Sequence, residues 1–231
     1  MAEPRTFRQF RFQPPPGATE ILLVRHGESE AAVEGEAFPL VDGQGDPPLS
    51  ADGHEQASRV AERLGVEQID AIYVTTLQRT AQTAAPLAAH LGLVPRVEAD
   101  LREVFLGEWE GGLFRQKVSD GDPIALEMFQ RQAWDVIPGA EPGAEFSSRI
   151  RAGIERIAAA HPDQRVAVFS HGGSIGEVLH QATGSQPWAM NGSDNGAISH
   201  IVVHADRWIL RRFNDTAHLQ PELTAKPEAL T

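Results

Sequence analysis

The chain has 231 residues, 41% of them hydrophobic and 23% charged, which suits one α/β domain with a substantial core. A formal net charge of −12 argues against general nucleic-acid or membrane-surface binding, both of which favour basic proteins. The absence of cysteine excludes disulfides, zinc thiolates and thiol catalysis. No apolar run approaches the length of a membrane span. The first residues carry arginines but no apolar stretch of the kind a secretory signal needs, so a cytoplasmic location is expected.

In chain order, residues 1–18 read as an extended tail that Pro14-Pro15-Pro16-Gly17 brings to a close. Residues 21–24 (ILLV) form a short continuous apolar run, the pattern of a fully buried strand. Residues 50–64 read as a helix, with Ser50 as N-cap and Ala57, Val60, Ala61 and Leu64 as its apolar stripe. Residues 71–74 (AIYV) predict a second strand. Thr76 is the expected cap of a helix reaching Leu91, stopped by Gly92. A third strand is placed at 94–98. Residues 100–140 are irregular and rich in glycine and proline, with one helix at 123–133; they read as an insertion covering one end of the domain. Further on come a helix at 144–160, a strand at 166–169, a helix at 173–182, and a hairpin of strands 197–204 and 207–213 turning at Ala205-Asp206. Pro221 and Pro227 break any helix in a C-terminal tail at 220–231. Alternating strands and helices predict an α/β, three-layer αβα sandwich around a mostly parallel central sheet, in a single domain over 19–219.

Three predicted strand ends share a chemical feature. Strand 21–24 runs into Arg25-His26-Gly27-Glu28, strand 71–74 into Thr75 through Arg79, and strand 166–169 into Ser170-His171-Gly172-Gly173. In a parallel α/β sheet the carboxyl ends of the strands lie along one edge, where ligands bind. Two arginines and two histidines, distant in sequence, should therefore converge. Arginine presents a planar fork of donors matched to phosphate oxygens and keeps its charge. Arg79 falls in a first helical turn, where the helix dipole disfavours a cation, so its charge has a use there. His171 and the glycines after it open a helix, whose free N–H groups favour anions. Singly, each has a plainer reading. Arg25-His26 could be a surface pair, Arg79 could pair with Asp70 or Glu67, and Ser170 to Gly173 could be a simple helix start.

The motif LVRHGES (23–29) resembles the signature of the histidine phosphatase superfamily, which includes the phosphoglycerate mutases. The similarity continues through Asp46-Pro47-Pro48-Leu49-Ser50, Gly53 and Gln56-Ala57, then Thr76 to Ala84, then Leu101-Arg102-Glu103 with Gly107-Glu108-Trp109-Glu110-Gly111. Pro142 to Glu145, Ser170 to Gly173 and Asn195 complete it, so it spans about 19–219 in order. The resemblance implies a phosphoglycerate mutase-like fold and a phosphomonoester hydrolase acting on a small phosphorylated metabolite. It implies His26 as the nucleophile that becomes phosphohistidine, and Glu103 as proton donor to the leaving oxygen. Arg25, Arg79 and His171 would bind the phosphoryl group, with Gly172, Ser29 and Asn195 as further contacts. No metal or organic cofactor is implied. One departure stands out: where the family often has Trp-Asn after the signature, this chain has Glu30-Ala31, and Ser29, Gln44 or a backbone N–H would have to replace the asparagine.

The chemistry sets requirements. A histidine nucleophile must be neutral, which neighbouring arginines favour, and a backbone carbonyl beside His26 would fix its tautomer. Glu103 must carry a proton in the first step, which predicts a mildly acidic optimum. A mutase needs extra cations and a tighter cover than a phosphatase. Here 67 residues (104–170) separate Glu103 from His171, and Glu108, Glu110, Asp120 and Asp122 accompany the cover's candidate cations Arg102, Arg115, Lys117 and Arg131. That mixture favours hydrolysis, with a phosphoglycerate mutase and a non-catalytic phospholigand-binding module as alternatives. Association as a homodimer is left open. His200 and His204 share a strand face without an evident third metal ligand. His54, His90, His161 and His180 read as surface helix residues. Trp109 and Phe105 either line the pocket or pack beneath the cover.

Overall fold

The computed structural model describes residues 5–220. Most of the expected C-terminal tail, including Pro221 and Pro227, lies outside those residues. Residues 5–17 form no regular element.

The central sheet has six strands: β1 (Thr19–Arg25), β4 (Ala71–Val74), β5 (Arg96–Val97), β6 (Arg165–Ser170), β7 (Ile198–His204) and β8 (Arg207–Asp215). They are ordered β5-β4-β6-β1-β7-β8. β5, β4, β6 and β1 run parallel, while β7 and β8 are antiparallel additions at one edge. β5 is shorter than the strand expected at 94–98 because only Arg96 and Val97 find partners in β4.

The period-two alternation of a strand divides the core between two faces. On one face Ile21, Leu23, Val166, Val168 and Ile201 meet Ile150, Ile154 and Ile157 of α5 (Gly143–Ala160) and Ile175 and Leu179 of α6 (Gly172–Thr183). On the other, Leu22, Val24, Ile72, Ala167 and Phe169 meet Val60 and Leu64 of α1 (Ala51–Leu64) and Ala84 and Leu87 of α2 (Gln78–Leu91). Parallel central strands are therefore apolar on both sides, which is why 21–24 and 166–169 read as unbroken hydrophobic runs.

Caps set several boundaries. Ser50 Oγ accepts from Gly53 N at 3.1 Å, and Gly92 ends α2 with φ 65°. Thr76 does not cap α2. The helix starts two residues later, and its first N–H, Gln78 N, donates to Asp46 Oδ1 at 2.8 Å. A carboxylate from elsewhere in the chain satisfies the orphan donor, so no local hydroxyl is required.

The stretch 100–140 folds over the carboxyl end of the sheet. It holds short 3-10 turns at Gly107–Trp109 and Trp134–Val136 and the helices α3 (Leu113–Ser119) and α4 (Pro123–Arg131). Asp122 caps α4 through Ile124 N at 2.9 Å, with Pro123 in the first turn, where its missing N–H is harmless. Trp109, Ala125, Met128 and Ile137 form a third, separate core beneath this cover. Gly107 has φ 57°, and a Cβ there would lie 2.2 Å from the Gly139 carbonyl carbon, so the closing turn admits only glycine. A two-residue hairpin, β2 (Leu40–Val41) with β3 (Gln44–Gly45), runs alongside the cover. Among the described residues no helix is long and apolar enough to cross a membrane.

Candidate active site

The carboxyl ends of β1, β4 and β6 bring Arg25, His26, Arg79 and His171 together. Backbone pairing makes the positions exact: His26 N donates to Ser170 O at 3.0 Å, and Gly196 N donates to Arg25 O at 3.1 Å. The rings of His26 and His171 lie 5.2 Å apart at an interplanar angle of 62°. Arg79 Nε donates to His26 Nε2 at 3.2 Å, and its Nη1 donates to Gly45 O at 3.0 Å. Arg79 faces Asp46, with Nη1 3.9 Å from Oδ1, and not Asp70 or Glu67. Those two are occupied by Arg165, whose N donates to Asp70 Oδ2 and whose Nη1 donates to Glu67 Oε2.

The tautomer of His26 follows from one contact. Its Nδ1 lies 2.7 Å from Gly27 O. A carbonyl only accepts, so Nδ1 carries the hydrogen and Nε2 keeps its lone pair. Burial, then the charges of Arg79 and Arg25, hold the His26 pKa well below its ordinary value, with the Gly27 carbonyl opposing. Burial and the same arginines do likewise to His171. His171 Nε2 meets Thr75 Oγ1 at 3.0 Å, whereas its Nδ1 is buried without a hydrogen-bond partner. Burial is also the main cause that lowers Arg79, to about 10, against Glu103 and Asp46, so it remains a cation at neutral pH.

Glu103 follows a 3-10 turn at Ala99–Leu101, and its carboxylate seats itself on the start of α6. Oε2 accepts from Gly173 N at 3.0 Å, and Oε1 accepts from Ser174 N at 3.1 Å and Val104 N at 3.0 Å. Gly173 N and Ser174 N are free donors of the α6 N-terminus, while Val104 N is Glu103's own chain neighbour. A Cβ at Gly173 would lie 2.5 Å from Glu103 Oε1, so the carboxylate needs glycine there. The glycines after His171 thus admit a side chain of the same protein.

A cavity of about 140 Å³ opens between this cluster and the cover. Arg25, His26, Arg79, Glu103, Gln44 and Arg115 are among its lining residues. Of the four candidate cover cations Arg115 alone reaches it; Arg102, Lys117 and Arg131 pair with Asp42, Asp122 and Glu127. Arg115 donates to Ser29 Oγ and to Glu30 O, both at 2.7 Å, so it touches the segment that lacks the family's asparagine. Gln44 lines the cavity but donates its amide to Glu103 O at 2.8 Å. Of the expected phosphate contacts, Ser29, His171, Gly172 and Asn195 are not among the lining residues. Asn195 Nδ2 donates to His26 O at 3.0 Å and so holds the histidine's backbone. Gly172 packs on Arg25, its Cβ position 3.4 Å from Nε.

Several supporting residues escaped the sequence reading. Arg149 pairs with Glu141 at 2.6 Å and donates to the carbonyls of Asp100, Arg102 and Glu103. It fixes the bend that delivers Glu103, and nothing in sequence distinguishes it from a helix-surface arginine. Glu110 accepts from Gly45 N and Leu106 N, and burial raises its pKa. Thr75 meets His171 although the sequence marks it only as a strand end. Trp109 does both things asked of it, lining the cavity and packing under the cover, while Phe105 is not among the lining residues. His161 is buried at 4% exposure and bonds Tyr73 Oη at 3.0 Å, contrary to a surface reading, because it caps α5 against the sheet. Among the described residues no three His, Asp or Glu side chains are grouped to hold a metal ion.

The family model for the histidine phosphatase superfamily, branch 1, matches residues 21–216. The chain is 33% identical over 205 residues to phosphoglycerate mutase-like protein 4 of Arabidopsis thaliana, covering 87% of each. It is 31% identical to the metal-independent phosphoserine phosphatase of the same plant, covering 87% of this chain and 83% of the relative. The solved structure of a mycobacterial glucosyl-3-phosphoglycerate phosphatase superposes with a TM-score of 0.72 at 28% identity, covering 86% of this chain and 100% of that one. Site geometry, sequence and fold agree that the chain belongs to branch 1 of the histidine phosphatase superfamily.

Proposed function

We propose that the protein hydrolyses a phosphomonoester of a small metabolite through a phosphohistidine formed on His26. The observation that carries this reading is the unprotonated Nε2 of His26, held toward the cavity by the Nδ1–H to Gly27 O bond. Two arginines line the same cavity, and the buried His171 ring stands 5.2 Å from that of His26. The relatives named as phosphatases support the reaction class, and small phosphorylated compounds are what their names share.

In the first step Nε2 attacks phosphorus, the bond to the leaving oxygen breaks, and Glu103 gives that oxygen a proton. In the second, Glu103 takes a proton from water as the water attacks phosphorus and the P–N bond breaks. Phosphate and neutral His26 are regenerated. Arg25 and Arg79 balance the charge on the equatorial oxygens, where positioning and electrostatics supply most of the catalysis. The Arg79 Nε–H that faces Nε2 passes to a phosphoryl oxygen as Nε2 becomes the nucleophile. His171 Nδ1 can donate to another oxygen when Thr75 Oγ1 gives its hydrogen to Nε2. Beyond substrate and one water, these steps draw on side chains of this chain.

Phosphate release from p-nitrophenyl phosphate and from metabolite esters, with an acid-labile protein phosphate that disappears in His26→Ala, is the expected result. Release by His26→Ala at the intact rate overturns the role of His26. Interconversion of phosphoglycerates without phosphate release makes the protein a mutase, and absence of any turnover makes it a binding module.

A further inference from the structure

The cavity has two chemically different ends. Toward the sheet lie Arg25, His26, Arg79 and Glu103, enough for one phosphoryl group and its leaving oxygen. Toward the cover the walls are Phe38, Leu106, Trp109, Phe114 and Trp134. Several of these rings pack on one another. Trp109 and Phe114 stand 6.3 Å apart at 47°, Phe114 and Trp134 stand 6.1 Å apart at 53°, and Trp134 leans on Trp188 at 4.4 Å. Phe114 and Trp134 are only half buried, so they keep ring surface outside the cover's core. Such faces suit a flat, apolar or heteroaromatic group, which stacks on them or meets their edges.

The charges disfavour the obvious competitor. Among the described residues, Arg115 is the only lysine or arginine in the lining apart from Arg25 and Arg79. It lies over the Phe38 ring at 5.3 Å, and two of its N–H groups are committed to Ser29 Oγ and Glu30 O. Glu110, the polar residue nearest the aromatic wall in sequence, has one oxygen on Gly45 N and the other on Leu106 N. A substrate carboxylate at that end would meet rings, the carboxyl group of Glu110 and a single cation, Arg115, two of whose five N–H groups are already committed.

Resting on the proposed hydrolysis, we propose that the preferred substrate is a phosphomonoester whose organic part is uncharged and carries an aromatic or heteroaromatic ring, in preference to a carboxylate-bearing phosphoserine or phosphoglycerate. The ring would stack on the Phe114–Trp134 wall while the phosphate occupies the arginine end, so Trp134 is a specificity residue.

The test uses four primary alkyl esters, which equalise the leaving group: 2-phenylethyl phosphate, glycerol 3-phosphate, O-phosphoserine and 3-phosphoglycerate. The expected kcat/KM for 2-phenylethyl phosphate exceeds that for either carboxylate by about tenfold or more, a step worth one favourable aromatic contact. Trp134→Ala should cut the ratio of 2-phenylethyl phosphate to glycerol 3-phosphate by about tenfold, and Trp134→Phe should restore most of it. Equal or faster turnover of O-phosphoserine or 3-phosphoglycerate overturns the proposal, as does a Trp134→Ala protein that loses all four substrates alike. Calorimetric affinities of His26→Ala for the same four compounds give the ordering independently of turnover. The aromatic ester binding tightest there, with no hydrolysis by the intact protein, defeats the phosphatase reading and leaves the pocket's preference standing. A carboxylate ester binding tightest defeats the preference whatever the turnover.

Discussion

Gly173→Ala separates the acid from the rest of the site. The new Cβ would lie 2.5 Å from Glu103 Oε1. That is roughly 1 Å short of the separation, about 3.5 Å, at which non-bonded contacts become favourable. Glu103 is the far end of a flexible side chain, so the carboxylate moves and the helix stays. The movement breaks bonds from Gly173 N and Ser174 N that measure 3.0 and 3.1 Å. A displacement of about 1 Å in a catalytic group can cost ~10²-fold in rate, and general acid catalysis supplies about 10²–10⁴. The loss should depend on the leaving group. An alkyl alcohol needs the proton, so kcat/KM for glycerol 3-phosphate should fall on the order of 10²-fold. p-Nitrophenolate leaves without one, so its ester should lose less than about tenfold. Steady-state kinetics on both esters, with circular dichroism to show an intact fold, decides the matter. Equal losses on the two esters, or no loss on either, would refute the assignment of Glu103 as proton donor.

Other expectations concern charge and support. His26 and His171 sit well below their ordinary pKa of 6.5, so below that pH the unfolded chain binds protons that the folded chain refuses. Urea unfolding should show stability falling by roughly 1.4 kcal/mol per pH unit for each histidine as pH drops from 6.5 toward the folded values. His171→Asn should remove one histidine's share of that slope, and a flat profile between pH 7 and 5.5 would contradict the buried neutral pair. Arg79→Lys keeps the charge but loses the fork that reaches His26 and Gly45 together, so kcat/KM should fall by about 10²–10³. Activity equal to the intact enzyme would show that only the charge matters. Arg149→Ala removes the ion-pair partner of Glu141 and one donor from each of three carbonyls, and should cost roughly 3 kcal/mol. At about 2–4 °C per kcal/mol, the melting temperature should drop by roughly 6–12 °C. A drop below about 2 °C would reduce Arg149 to a surface residue.

Much of the architecture was legible in the residues. Buried parallel strands announce themselves as apolar runs, Ser50 and Gly92 carry their cap geometry locally, and the edge rule for parallel sheets placed Arg25, His26, Arg79 and His171 in one cluster. These properties depend on short-range chemistry and on one topological rule. Thr76 failed as a cap because Asp46, thirty-two residues from Gln78, supplied the acceptor first. Asn195 was assigned to the phosphate, and its amide lies on the His26 carbonyl.

What the sequence by itself determined is the fold class, the chemistry of the strand-end residues and the absence of any thiol. What only the tertiary structure decided is how those groups are aimed: the proton on His26 Nδ1, the seat of Glu103 on α6, the entry of Arg115 and the aromatic wall of the cover. Direction arises from contacts between segments that lie far apart along the chain. A residue's identity limits which bonds it can make, and packing chooses among them.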